Sequence, residues 1–123
     1  MPYFQPDSVR YYQFDSLDHV PHAVFTRKGG VSPQPWAELN VGGTVGDDPM
    51  RVAQNRSALF RTLGRNPDNA FDVWQVHGSD VVCTREPRSP DIPIQKADAI
   101  LTDCPGLSLM MRFADCVPIL LWD

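Results

Sequence analysis

The sequence is poor in several things that would place it at once. Three cysteines in 123 residues are too few for the dense disulfide framework of a small secreted domain. They are Cys83, Cys104 and Cys116, and three thiols cannot all pair, so at least one is expected free. No apolar run approaches the roughly 18 residues that a membrane span requires. Basic residues are few and scattered: 11 Lys and Arg stand against 15 Asp and Glu, a net charge of −4. No three basic residues are consecutive, so nucleic acid, which selects a basic stripe, is not an expected partner. A membrane is not expected either. Histidine is limited to His19, His22 and His77. The opening Met1-Pro2-Tyr3-Phe4-Gln5-Pro6-Asp7 lacks the basic and apolar regions of a secretory signal, so a reducing cytoplasm is the expected compartment.

Turn formers are abundant. Proline and glycine number 12 and 8, spread without a repeat, which means many turns and not a low-complexity chain. The hydrophobic fraction of 42% and the charged fraction of 21% are those of a folded globular protein. The length suits one domain, since domains peak near about 100–150 residues.

Residues 1–20 are poorly patterned, apart from a short strand at 10–14. Residues 22–27 read as a strand ending in the turn cluster Lys28-Gly29-Gly30-Val31-Ser32-Pro33. The clearest element is a helix over 49–63. Asp48 suits its N-cap, Pro49 its first position, and Val52, Leu59 and Leu63 one face, while Gly64 and Pro67 stop it. Four strands are expected at 71–76, 81–84, 97–102 and 107–113. The first two are read as a hairpin turning at His77-Gly78-Ser79-Asp80. Residues 117–122 are apolar enough to be a strand buried on both faces. The fold class is α+β, strand-rich, with one clear helix.

Three features could carry chemistry. Gly42-Gly43-Thr44-Val45-Gly46 precedes the helix and could cradle a phosphate, but Asp47 and Asp48 put like charge where the anion would sit, which favours a simple capped helix start. His77, beside Gly78 in a turn, is expected to be accessible, although many lone histidines are only surface or capping groups. His19 and His22 flank Pro21 and read as structural or surface. Cys116, at the break Ala114-Asp115-Cys116-Val117-Pro118, could be a nucleophile or a soft metal ligand. Buried inert cysteine is the alternative, and more so for Cys83.

These pieces occur together in a particular order: Thr26-Arg27-Lys28-Gly29-Gly30-Val31-Ser32, Leu39-Asn40-Val41-Gly42, Gly46-Asp47-Asp48-Pro49, Asn55-Arg56, Gln75-Val76-His77-Gly78, Ala97-Asp98-Ala99 and Ala114-Asp115-Cys116-Val117-Pro118. From about residue 22 onward the chain resembles the YfiH-like laccase-domain proteins. These are also called polyphenol oxidoreductases and purine nucleoside phosphorylases. The resemblance implies a four-layer α/β/β/α fold with mixed sheets, of which residues 1–123 would form about the N-terminal half, a single incomplete domain. It implies a histidine–cysteine–histidine site for zinc or, alternatively, copper. His77 matches the first histidine and Cys116 the cysteine. The second histidine belongs to a His-Ala-Gly-Trp-Arg-Gly motif that this sequence does not reach. Phe113 departs from the threonine more usual before Ala-Asp-Cys.

The activity the resemblance implies is phosphorolysis of purine nucleosides, including methylthioadenosine, with adenosine deamination beside it. The partners would be a purine nucleoside and phosphate. Arg27 and Arg56 are candidate phosphate donors, being planar bidentate forks, and Asn40 and Gln75 candidate partners for base or ribose. Arg27 and Arg56 could equally pair with Asp47, Asp48 or Asp98. Asp115 or Asp98 could transfer protons. The alternatives are a Cys–His hydrolase with Cys116 as nucleophile and His77 as base, a non-catalytic fragment, and a copper-dependent phenol oxidase, for which three histidines are too few. The 117–122 strand is expected to be covered by another chain or by residues outside this sequence.

Overall fold

The computed structural model describes residues 3–4 and 9–123. Most of the opening segment read for a signal, and part of the poorly patterned 1–20 stretch, lies outside the described residues. Among the described residues, seven short strands and one α-helix form two compact units. One is Met1–Gly64 with Pro118–Asp123, and the other is Arg65–Val117. No helix among the described residues is long and apolar enough to cross a membrane.

In the first unit, β1 (Tyr3–Phe4), β2 (Tyr11–Tyr12) and β3 (Val24–Phe25) form an antiparallel sheet in that order. The Tyr11 and Phe25 rings meet across it at 5.4 Å. Helix α1 (Pro49–Thr62) follows its sequence signals closely. The Asp48 carboxylate accepts the Met50 N–H at 2.8 Å, and Gly64, at φ 62°, leaves the helix in the left-handed region open to glycine. Its buried stripe is Val52, Asn55, Leu59 and Phe60, the spacing of one helical face.

A polar residue in that stripe needs partners. Asn55 is 1% exposed. Its Oδ1 accepts the Val31 N–H at 2.9 Å, and its Nδ2 donates to Ser32 Oγ at 2.9 Å and to Asn40 O at 2.7 Å. The Ser32 hydroxyl in turn donates to Asp47 Oδ2 at 2.5 Å. That bond holds the Asp47 carboxyl below its ordinary range against the opposing effect of burial, with Asn40 assisting. Gly30 is required here, because a Cβ would stand 2.3 Å from Glu38 O and 2.6 Å from Asn55 Oδ1.

In the second unit the strands pair in parallel. β4 (Ala70–Asp72) pairs with β7 (Ser108–Met110), and β5 (Val81–Cys83) with β6 (Ala99–Leu101). Val73 and Ala97 are its buried apolar centre. Asp72 ties the pieces together. Its Oδ1 accepts from Arg88 Nε, its Oδ2 accepts from Arg112 Nη1 at 2.8 Å, and Arg112 Nη2 also reaches Val73 O at 3.0 Å. Burial alone would raise the Asp72 pKa, but the two guanidiniums outweigh it and hold the carboxyl below its ordinary value.

Three expectations are corrected. Residues 71–76 and 81–84 do not form a hairpin, since each arm pairs in parallel with another part of the chain. Residues 117–122 are not a strand. Val117, Ile119 and Leu121 are 80%, 76% and 85% exposed, because no neighbouring strand among the described residues takes up their backbone groups. Cys83 is exposed, not buried: it shares with Val81 the face of β5 that nothing among the described residues covers.

Two stability outcomes follow. Asn55→Ala leaves buried loop groups without partners, and we expect a loss of about 3 kcal/mol in denaturant unfolding; a change under about 0.5 kcal/mol would contradict the hub. Asp72→Asn strands two guanidiniums and is expected to remove about 3 kcal/mol at neutral pH. The folded Asp72 carboxyl titrates below its unfolded value. Its contribution is therefore complete above about pH 4 and is lost as pH falls from there through the folded-state value. Unfolding curves of Asp72→Asn across that range are expected to show a shallower acid limb than the parent.

Candidate functional site

The site grows from an irregularity in a parallel ladder. Residues 95–101 run alongside two separate segments. Trp74 donates its N–H to Gln95 O at 2.8 Å and accepts from the Ala97 N–H at 3.0 Å, and further on Asp98 N–H donates to Asp80 O at 3.0 Å and β6 meets β5. The paired positions are Trp74 with Lys96 and Val81 with Ala99, both in parallel. One side therefore advances seven residues while the other advances three. The surplus is thrown out as the loop carrying His77 and Gly78. Lys96 lies over the Trp74 ring at 5.5 Å, at the start of the ladder.

The loop turns at His77, whose φ is 58°, a left-handed conformation that costs a side-chain-bearing residue about 1 kcal/mol. The Asp98 carboxylate stabilises it. Oδ1 accepts the His77 N–H and Oδ2 the Gly78 N–H, each at 2.8 Å. His77 Nδ1 then lies 3.5 Å from Cys116 Sγ, joining residues 39 apart in the chain. Cys116 sits half-buried on a bend beyond β7, downstream of the Arg112 anchor. His77, Asp98 and Cys116 all belong to the second unit.

The remaining sequence candidates fall elsewhere. Asp115 is exposed next to Cys116, and Gln75 is half-buried two residues before His77. Arg27, Asn40 and Arg56 belong to the first unit. Arg27 is exposed and takes part in no salt bridge among the described residues. Asn40 is committed to its own loop: Nδ2 donates to Asp47 Oδ2 at 3.0 Å, and Oδ1 accepts the Gly42 N–H at 3.0 Å. Arg56 Nε donates to Val41 O at 3.0 Å. The glycine loop leads into a helix start occupied by Asp48, as its acidic residues implied. The Asp72–Arg88–Arg112 cluster has no local signal in the sequence, where the three prolines of 85–94 imply only a loop.

No group of three His, Cys, Asp or Glu side chains placed to hold a metal exists among the described residues. Two donors do fit. Zinc–sulfur and zinc–nitrogen bonds of about 2.3 and 2.0 Å at a tetrahedral angle separate their donors by about 3.5 Å, the spacing of Sγ and Nδ1 here.

Comparison with known proteins identifies the family. The family profile described as multicopper polyphenol oxidoreductase laccase matches residues 21–123. A purine nucleoside phosphorylase of Streptomyces griseus is 47% identical over 103 residues, covering 83% of this chain and 42% of that protein. One from Streptomyces coelicolor is 47% identical over 111 residues, covering 90% and 46%. The crystal structure of YfiH from Bacillus licheniformis superposes with a TM-score of 0.77 at 26% identity, covering 94% of this chain and 45% of that one. YlmD from Geobacillus stearothermophilus gives 0.76 at 27% identity, covering 93% and 45%. The chain belongs to the YfiH-like laccase-domain family, with that family's α+β fold. It spans about half the length of the relatives it matches.

The left-handed turn is testable apart from any chemistry. His77→Ala and His77→Gly both delete the imidazole, but glycine tolerates φ 58°. The glycine variant is expected to be the more stable by about 1 kcal/mol in thermal melts, and equal stability would argue against a fixed turn.

Proposed function

We propose that this chain forms part of an enzyme that cleaves purine nucleosides with phosphate, with His77 and Cys116 at its reaction centre. The observation that carries the reading is the 3.5 Å approach of His77 Nδ1 to Cys116 Sγ in a chain 47% identical to proteins named purine nucleoside phosphorylase. In phosphorolysis a phosphate oxygen bonds to the ribose anomeric carbon as the bond to the purine nitrogen breaks. The purine leaves with the electron pair and must receive a proton. The substrates are inosine, adenosine and methylthioadenosine.

In this reading His77 and Cys116 are two ligands of a zinc ion, and a third donor comes from residues outside this sequence or from another chain. Bound zinc would supply Lewis acidity and an acidified water, the chemistry that adenosine deamination needs. His77 brings an imidazole whose main chain is held, and Cys116 a sulfur donor. Of the two arginines, Arg27, exposed and in no salt bridge among the described residues, has the guanidinium with more to offer an anion. Gln75, beside the His77 loop, is offered to base or ribose. Asn40 acts by shaping the glycine loop, since its amide is already engaged. The three unpaired thiols fit a reducing cytoplasm. Multicopper oxidation, which the family's other name suggests, asks for more imidazoles than the one histidine beside Cys116 among the described residues.

The same 3.5 Å contact favours a second reading, a Cys–His hydrolase in which Cys116 attacks a carbonyl and His77 takes its proton. One assay separates them: phosphate-dependent release of hypoxanthine from inosine by the longest natural form of the protein. Turnover is expected, abolished by chelation and reduced at least about a hundredfold in His77→Ala and Cys116→Ser. Absence of turnover with all donors present overturns the nucleoside reading. Chelator-resistant ester hydrolysis would establish the second.

A further inference from the structure

We infer that Asp98 is a positioning residue: it holds the His77 main chain so that the imidazole meets Cys116, and it does not relay protons. The inference rests on the His77–Cys116 pairing and is independent of the nucleoside reading.

Asp98 has a rigid mount. Ala97, immediately before it, is 0% exposed and donates its N–H to Trp74 O, and Asp98 N–H donates to Asp80 O at 3.0 Å. These two bonds tie it to both arms of the expelled loop. From that mount the carboxylate faces two consecutive main-chain N–H groups. They converge on one anion because His77 is left-handed, the way turns build small anion-binding concavities. Each oxygen takes one of them at 2.8 Å.

A proton relay would need a carboxylate oxygen directed at a titrating group. Both Asp98 oxygens are directed at amides instead. Gly78 completes the fit, because a Cβ there would stand 3.3 Å from Asp98 Oδ2, closer than the clamp comfortably permits. What remains variable in the loop is the His77 side chain, and its Nδ1 is 3.5 Å from Cys116 Sγ.

Asp98→Asn tests this, because it keeps the shape of the side chain while replacing one acceptor by an NH2 that opposes an N–H donor. The full chain is labelled for NMR, and the His77 and Gly78 amide shifts, with the His77 HN–Hα coupling, report the clamp. Alkylation of Cys116 by iodoacetamide at fixed neutral pH reports the pairing, with Cys83 and Cys104 as internal standards. We expect Asp98→Asn to lose the left-handed coupling of His77 and to slow Cys116 about fivefold, leaving Cys83 and Cys104 unchanged. In a His77→Ala background the same substitution should add nothing further, as two changes acting through one group are not additive. Gly78→Ala leaves the Asp98 charge intact and crowds only Oδ2, so it should give the same changes in smaller measure even if Asp98→Asn fails to fold. Retention of the His77 coupling, an unchanged Cys116 rate, or a full effect in the His77→Ala background would each overturn the inference. Failure of inosine turnover would leave it standing.

Discussion

The second unit depends on a constraint of parallel pairing: two parallel segments cannot be joined by a tight turn. Residues 95–101 satisfy it by pairing with Trp74 and then with β5 while the chain between them takes a longer path. Extra residues in a ladder must leave it, and they carry a side chain away from the sheet at a fixed point. That is how His77 is both exposed and held. Exposure alone would leave the imidazole to find Cys116 by chance. The ladder on either side and the Asp98 clamp leave the loop's main chain little freedom.

Polar groups enclosed with partners do the corresponding work elsewhere. Only eight apolar residues are buried among those described, and four polar ones accompany them: Ser32, Asp47, Asn55 and Asp72. None of their buried side-chain atoms lacks a hydrogen-bond partner. A chain rich in proline and glycine leaves long stretches whose backbone groups have no strand or helix to satisfy them, and those groups must be paired when enclosed. Asn55 does this for the loop from Gly29 to Asn40. Asp72, through Arg88 and Arg112, does it for the proline-bearing 85–94 loop and for the approach to Cys116. In each case a satisfied polar hub sits where an aliphatic side chain would have left polar groups stranded, loop backbone groups around Asn55 and guanidiniums around Asp72, a net loss, since an unmet buried group costs more than a hydrogen bond contributes.

Local chemistry was legible in the sequence and direction was not. Asp48, Pro49 and Gly64 bounded α1 to within a residue, because capping and left-handed exits are set by neighbours in the chain. The strands near 11, 24, 71, 82, 100 and 109 were visible as short apolar or β-branched runs. Whether two such runs reverse or continue is not contained in a period of two, and the few residues around His77 suit a hairpin as well as a loop expelled from a parallel ladder. Residues 117–122 had the composition of a buried strand, but burial is a property of what lies opposite. His77 and Cys116 were weak signals singly and acquired meaning through the ordered motifs around them. Asp98 was noticed as an acid; its engagement with two amides depends on a partner 20 and 21 positions away.

The structure separates His77 from the other histidines by what their rings have left to offer. His22 is fully committed. Phe14 N–H donates to its Nε2 at 2.7 Å, so the proton must reside on Nδ1, which donates to Val20 O at 2.8 Å. One tautomer is locked, and the ring serves the loop. His19 rests edge-on to Trp122 beside Asp18 at the surface. His77 is gripped by its main chain, and the only ring nitrogen with a partner among the described residues is Nδ1, at Cys116. Metal-ligating histidines usually have the far nitrogen fixed by a carboxylate or carbonyl. Here the carboxylate has been applied to the backbone instead. The main chain is held without either ring nitrogen being tied to the clamp, so Nδ1 can serve as lone pair to a metal or as acceptor for the Cys116 thiol proton. A histidine held in this way is suited to chemistry, whereas one held like His22 is suited to architecture.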